Sequence, residues 1–295
     1  MNGFFNIWKP TGMSSAAVVA VMRRLTGEKR TGHAGTLDPE AAGVLPIMTG
    51  KATRLFDYLV DKEKEYEAVC AFGSSTDTQD ATGKVLETGE RYPDPETVRE
   101  KAQELTGTIR QKPSAFSAIK VGGRPLYSLA RRGETVDVPE RTVTVKSIEV
   151  TGEEPDHGYA LRVCCGKGTY IRTLCDDLGK RCGCPAHMRS LYRTRSGVFT
   201  AETGITLDEA RILAAEGKLT EKMLPPDYPL GHLTKLNIPA RFARQVAAGS
   251  KIPADFAGEE YGTAENLRVY LNGEFWGIMR REGNLFVWKV QIAPE

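Results

Sequence analysis

The sequence predicts a mixed α/β chain, with a large domain on an antiparallel or mixed sheet followed by a small β-rich module. Three observations carry that prediction. Segments of alternating apolar and polar residues interleave with segments of helical period up to about residue 217. A proline-rich break, Pro225-Pro226-Asp227-Tyr228-Pro229-Leu230-Gly231, then interrupts both patterns. Beyond it Asn272-Gly273 stands between two strand-like runs, a strong hairpin signal. A chain of 295 residues, 40% hydrophobic and 26% charged, is long enough for one large core and a smaller one. The expected organisation is a domain at 1–224, a linker at 225–232 and the module at 233–295.

Taken in order, Ser14 and Ser15 can cap a helix through Met22 that Gly27 stops. Val44 to Met48 is a short apolar strand. Glu65 to Phe72 alternates, placing Tyr66, Ala68, Cys70 and Phe72 on one inward face. Asp94-Pro95 opens a helix with Val98, Ala102 and Leu105 on one stripe, closed by Gly107. Thr142–Val150 and Tyr159–Cys165 read as strands. From Thr169 a helix presents Ile171, Leu174, Cys175 and Leu178. Thr206 and Glu209 form a capping box before a helix that Gly217 ends. In the module, Leu267–Leu271, Glu274–Ile278 and Leu285–Val290 are strands.

Charge and cysteine usage narrow the function classes. The net charge is only +2. Yet Thr108–Gly133 holds Arg110, Lys112, Lys120, Arg124, Arg131 and Arg132 with no acid, and Leu178–Ala201 holds Lys180, Arg181, Arg189, Arg193 and Arg195 with none. Such stretches suit a polyanion, and nucleic acid is the expected partner. No apolar run approaches the roughly 20 residues of a membrane helix, so no membrane role is expected. Six scattered cysteines read as reduced core residues in a cytoplasmic protein.

The most informative segment is Gly32-His33-Ala34-Gly35-Thr36-Leu37-Asp38-Pro39. It sets one carboxylate among residues with almost no side chain, where Gly32, Ala34 and Gly35 admit a backbone or a flat ligand. Pro39 biases Asp38 toward an extended conformation. Other motifs fail on spacing. Gly50-Lys51 lacks the residues of a phosphate loop. Asp77 and Asp80 lack calcium-loop spacing. Cys182, Cys184 and His187 lack a fourth zinc ligand.

Four further segments accompany that loop. They are Lys9-Pro10-Thr11-Gly12-Met13-Ser14-Ser15, Lys64-Glu65-Tyr66 with Thr76-Asp77-Thr78, Phe116-Ser117-Ala118-Ile119-Lys120, and Gly166-Lys167-Gly168-Thr169-Tyr170-Ile171-Arg172. In this order the five resemble the bacterial TruB-type tRNA pseudouridine synthases over nearly the whole chain. The resemblance implies the pseudouridine synthase fold with a PUA-like RNA-binding module. It implies conversion of uridine 55 in the TΨC loop of tRNA to pseudouridine, with the glycosidic bond cut, the base turned over and a carbon–carbon bond made to the same ribose. No redox change occurs, so no cofactor and no metal are expected.

By the same resemblance Asp38 is the essential aspartate, attacking the uridine or taking a ribose proton. Arg172 is its partner, although an i, i+4 pair with Asp176 is the plain alternative. Tyr66 lies against the flipped base and assists proton removal; Tyr170 and Leu191 line the uracil pocket. His33 fills the space left by flipped bases, and Lys9 and Lys120 hold phosphates or organise the pocket. Pro113-Ser114 replaces the usual two prolines, which puts the path of that loop in doubt. The basic stretches are expected to flank the Asp38 cleft and grip the tRNA T-arm. Nothing marks an obligate protein partner, and a monomer is expected. Two other readings of the same surface are a non-catalytic tRNA-folding protein and an RNA-guided synthase.

Overall fold

The computed structural model describes residues 1–60, 62–114, 116–117, 120–121, 124–126, 132, 138–258, 261–262 and 265–294, without the side chains of 60, 120, 121, 124 and 125. The first strands are β1 (Gly3–Lys9), β2 (Thr31–His33), β3 (Ala42–Thr49), β4 (Lys64–Phe72), β5 (Ser74–Thr76), β6 (Val85–Thr88) and β7 (Gly107–Gln111). There follow β8 (Lys120–Val121), β9 (Arg124–Pro125), β10 (Arg141–Glu154), β11 (Gly158–Cys165), β12 (Ala186–Ser196), β13 (Phe199–Thr200) and β14 (Ile205–Thr206). A ten-stranded sheet runs β14-β1-β3-β12-β4-β11-β10-β7, with β2 on β3 and β13 on β12. The pairs β1–β14 and β3–β12 are parallel and the rest antiparallel, so the sheet is mixed as expected.

Helix boundaries follow local chemistry. Ser14 caps Ser15–Thr26 by accepting the Ala17 N–H at 3.1 Å, and Gly27 closes it. The capping box of Thr206 and Glu209 is fully formed ahead of Leu207–Ala215. Asp94 caps Pro95–Gln103, but this helix ends at Gln103 rather than near Gly107, which opens β7. The last turn tightens through i→i−3 bonds, Leu105 N–H to Ala102 and Thr106 N–H to Gln103, which satisfy the free carbonyls early.

Strand β3 is buried along its whole length, because it faces two cores. Leu45 and Ile47 join Phe5, Ile7, Tyr66, Leu174 and Leu178 on the helix-covered face. Val44 and Met48 point the other way, toward Phe4, Leu230, Ile278 and Ile292. Each such fully buried side chain contributes roughly 1.5–3 kcal/mol. Strands β3 and β12 approach closely at Gly43 (φ 115°), where a Cβ would lie 2.2 Å from the Arg193 carbonyl oxygen.

The C-terminal module contains β15 (Thr234–Ile238), β16 (Ile252–Pro253), β17 (Leu267–Leu271), β18 (Glu274–Glu282) and β19 (Leu285–Gln291), ordered β15-β17-β18-β19-β16. Asn272 and Gly273 both take positive φ at the hairpin, as a type I′ turn requires. The segment read as a linker is a packed joint. Leu230 is fully buried with Ile278 and Ile292 against the main sheet, and Asp227 accepts the Tyr270 hydroxyl. Prolines suggest a tether to a local reading, but apolar side chains on both flanks close it. Among the described residues no helix is long and apolar enough to cross a membrane.

Candidate active site

The Asp38 turn is shaped by side chains from outside it. Ser15, expected to share the helix cap, turns inward instead. Its Oγ accepts the Leu37 N–H and donates to the Leu37 carbonyl, each at 2.9 Å. Arg193, almost fully buried, donates to the carbonyls of Gly35 (3.0 Å), Thr36 (3.4 Å) and Val44 (2.8 Å). Lys9 Nζ donates to the carbonyls of Pro10 (2.8 Å), Met13 (2.5 Å) and Pro39 (3.0 Å). The Asp38 carbonyl accepts the Ala41 N–H, closing a turn around Pro39. Residues on both sides of the carboxylate are therefore clamped through their backbone, which aims the side chain.

Arg172 lies in the first turn of the helix Ile171–Cys182, a position where a cation opposes the helix dipole. Two carboxylates compensate it. Nε is 3.1 Å from Asp38 Oδ2 and Nη1 is 3.3 Å from Asp80 Oδ2. Nη1 and Nη2 also donate to the carbonyls of Thr78 and Phe116 at 3.3 Å each. The rival partner Asp176 is occupied by Lys180 (2.6 Å) and Gln79 (3.1 Å). The geometry thus decides for the Asp38 partnership.

A cavity of about 240 Å³ opens beside this pair. Asp38, Tyr66, Tyr170, Arg172, Leu191 and Arg193 all line it. Tyr66 and Arg193 stand opposite each other on β4 and β12, as do Ala68 and Leu191. Period-two alternation puts Leu191 and Arg193 on one face. Burial pushes the Tyr66 phenol above its ordinary pKa, and the adjacent Arg193 guanidinium opposes that shift. Tyr170 precedes the helix, its backbone N–H and carbonyl bracketed by the Gln111 amide at 2.9 and 3.1 Å. Arg141 lies over its ring at 5.7 Å. Burial also raises the Tyr170 phenol.

The remaining expected site residues divide. Lys9 is fully buried with its ammonium on three carbonyls, so it organises the turn and is not available to a phosphate. Burial lowers it to about 8. His33 ends β2, and burial followed by Arg193 lowers its pKa, favouring the neutral ring. Lys120 falls on β8, with its side chain outside the described residues. Gly32 is an ordinary strand residue, since a Cβ there meets only Met48 Cε at 3.7 Å. Where a second proline is usual, the Ser114 Oγ donates to the Asp77 carbonyl at 2.9 Å and accepts the Phe116 N–H at 3.2 Å.

The basic stretch 178–201 does not form one positive face. Lys180 and Arg181 pair with Asp176 and Glu104, Arg195 pairs with Glu65, and Arg193 is buried. Helix and alternating strand point these residues apart. In the 108–133 stretch Arg110 pairs with Glu140 at 2.6 Å and Arg132 is exposed, while Arg131 lies outside the described residues. Sequence reasoning missed Ser15, Arg193 and Asp80 as site residues. No local signal separates Arg193 from Arg189 and Arg195 in the same basic run.

Comparison with known proteins places the chain in a family. Residues 23–171 match the model of the TruB family pseudouridylate synthase (N terminal domain), and 172–230 that of the tRNA pseudouridylate synthase B C-terminal domain. The junction of the two matches falls at Arg172, so the central strand β12 belongs to the second. The chain is 43% identical to the tRNA pseudouridine synthase B of Bacillus licheniformis, over 91% of this chain and 89% of that one. To the protein of the same name from Alkaliphilus oremlandii it is 41% identical, over 96% and 94%. The fold is similar to the crystal structure of a Cbf5-Nop10-Gar1 complex, with TM-score 0.71 and 27% identity over 98% of this chain and 84% of that one. With relatives this similar over nearly their full length, and a family model spanning half its residues, the chain belongs to the TruB family of pseudouridylate synthases.

Proposed function

We propose that this chain isomerises uridine 55 in the T-arm of tRNA to pseudouridine, acting as a monomer. The observation that carries the reading is Asp38. Its carboxylate is held at one edge by buried Arg172 and turned toward a base-sized cavity. In the reaction the bond from ribose C1′ to uracil N1 breaks, one from C1′ to C5 forms, and the C5 proton moves to N1. Asp38 serves as the ionised group that attacks the uridine or removes a ribose proton. Arg172 keeps that carboxylate aimed in a partly dry pocket.

Tyr66 stacks on the base, which is worth about 1–3 kcal/mol, and takes part in the C5 proton removal. Leu191 and Tyr170 pack around the uracil, and His33 occupies the stem-loop space that the flipped base vacates. Lys120 is a phosphate contact on the 108–133 segment. Residues 1–224 carry the chemistry, and 233–295 form a PUA-like module that adds RNA contacts. The curated relatives bear the tRNA synthase name at about 40% identity, which favours this over an RNA-guided role.

The test is pseudouridine formation on an unmodified tRNA transcript by wild type and Asp38→Asn, with tRNA binding measured for both. Product at position 55 from wild type only, with binding retained in the variant, is the expected result. Binding without product from either protein would overturn the assignment in favour of an RNA-folding or guided role.

A further inference from the structure

We infer that the cleft between the main sheet and the proline-rich joint at 225–232 binds a phosphodiester of the RNA backbone through the Lys62 ammonium. This rests on the reading that the chain acts on RNA. A cavity of about 290 Å³ lies there, walled in part by Ala34, Lys62, Arg195, Phe199, Pro229 and His232. It adjoins the Asp38 cavity along the chain. Ala34 precedes Gly35, Lys62 lies two residues before Lys64, and Arg195 two after Arg193; the second member of each pair lines the first cavity. Lys62 stands four residues before Tyr66, so no more than about 14 Å of chain separates them. A strand with its base against Tyr66 would therefore reach the second cavity within a few nucleotides.

The charge balance of this cleft identifies the ligand class. Arg195 is neutralised by Glu65 at 2.5 Å and Glu63 at 3.8 Å, and Glu63 is also held by Lys146 at 2.9 Å. Lys62 differs: among the described residues it has no carboxylate partner, and its Nζ lies 3.0 Å from His232 Nε2. Burial, followed by the Lys62 charge, lowers the His232 pKa, and Nε2 accepts from the Lys62 ammonium. The imidazole is neutral in this arrangement and leaves the ammonium charge uncancelled. Two of the three ammonium N–H groups remain for a ligand, beside apolar walls that strengthen any anion contact. A phosphate oxygen supplies the missing charge and acceptors.

The experiment measures binding of unmodified tRNA transcript to the full chain across a salt series. Wild type, Lys62→Ala and Lys62→Arg are compared. Lys62→Ala is expected to weaken binding about 3–10-fold and to lower the slope of log Kd against log salt by about one; Lys62→Arg should keep the slope. An unchanged slope in Lys62→Ala overturns the proposal. Equal loss in Lys62→Arg and Lys62→Ala does so too, since it would mark packing at the joint. A titration of wild type with inorganic phosphate at matched ionic strength separates the sources. Phosphate binding with an unchanged RNA slope assigns the cleft to free phosphate and overturns the RNA contact. Failure of the functional reading is seen separately, as absence of pseudouridine from wild type while the salt slopes stand.

Discussion

Asp38 and Asp80 meet the same guanidinium from different turns, yet their surroundings are unlike. Asp80 also accepts hydrogen bonds from the Thr82 hydroxyl (2.6 Å), the Thr78 hydroxyl (2.8 Å) and the Thr82 N–H (3.0 Å), with its side chain 14% exposed. Burial raises its pKa, but the Thr82 and Thr78 hydrogen bonds outweigh it and hold the carboxyl below its usual range. Asp38 meets Arg172 at one oxygen, and its side chain is 38% exposed toward the cavity. A carboxylate saturated with donors has few lone pairs left for chemistry. One gripped at a single edge keeps them. Arg172 thus joins a saturated carboxylate to an open one.

The sharpest way to challenge this contrast is to neutralise each carboxylate. Asp38→Asn should lower the rate of pseudouridine formation by about 10²–10⁴-fold or more, with the urea midpoint nearly unchanged. A variant that loses stability instead would make Asp38 the structural partner. Arg172→Met strands both carboxylates in a partly buried site and should cost about 3–5 kcal/mol of unfolding free energy along with activity. Arg172→Lys keeps the charge but not the fork, so it should recover more stability than activity.

Asp80→Asn should destabilise by about 1–3 kcal/mol at neutral pH. Because the folded pKa of Asp80 is lowered, its contribution is full above the unfolded value and fades as pH falls through the folded one. Urea unfolding of wild type and Asp80→Asn should therefore converge below about pH 4. Curves that stay parallel into acid would remove Asp80 from the titrating set.

Lys9 bears on how the Asp38 turn is held. Lys9→Met leaves three carbonyls without their donor and should cost about 1–3 kcal/mol. The folded pKa of Lys9 is lowered to about 8, below the value of 10.5 for an exposed lysine. The unfolded chain then binds more protons between those values, and wild-type stability rises with pH there. The gap between wild type and Lys9→Met should widen across that window, as read from denaturant melts. At the small end, Gly32→Ala should change stability by less than about 1 kcal/mol. A large loss would restore the close approach once expected at Gly32.

Much of the molecule is legible in short stretches of sequence, wherever neighbours a few residues apart settle the matter. The Ser14 cap, the Thr206–Glu209 box and the Asn272-Gly273 turn form as read because each satisfies its own backbone groups locally. The alternation of β4 likewise placed Tyr66 inward. The motif resemblance marked Asp38 and Arg172, 134 positions apart in the numbering, while local spacing offered Asp176 as the alternative partner for Arg172.

Other features existed only once distant segments met. A serine at an expected helix start could cap or turn away, and the position of Leu37 chose for Ser15. In the sequence Arg193 reads as one member of a basic run expected to grip RNA. Pairing of β12 with β4 set it beneath the Asp38 loop, where carbonyls rather than water take its hydrogen bonds. Local chemistry thus determined the caps, turns, strand faces and residue types of this protein. Tertiary structure decided which carboxylate stays open, which cations are consumed by the backbone and that the proline-rich break is a joint. The physical reason is that the partner of a buried charge is set by what closes over it, and those groups come from elsewhere in the chain.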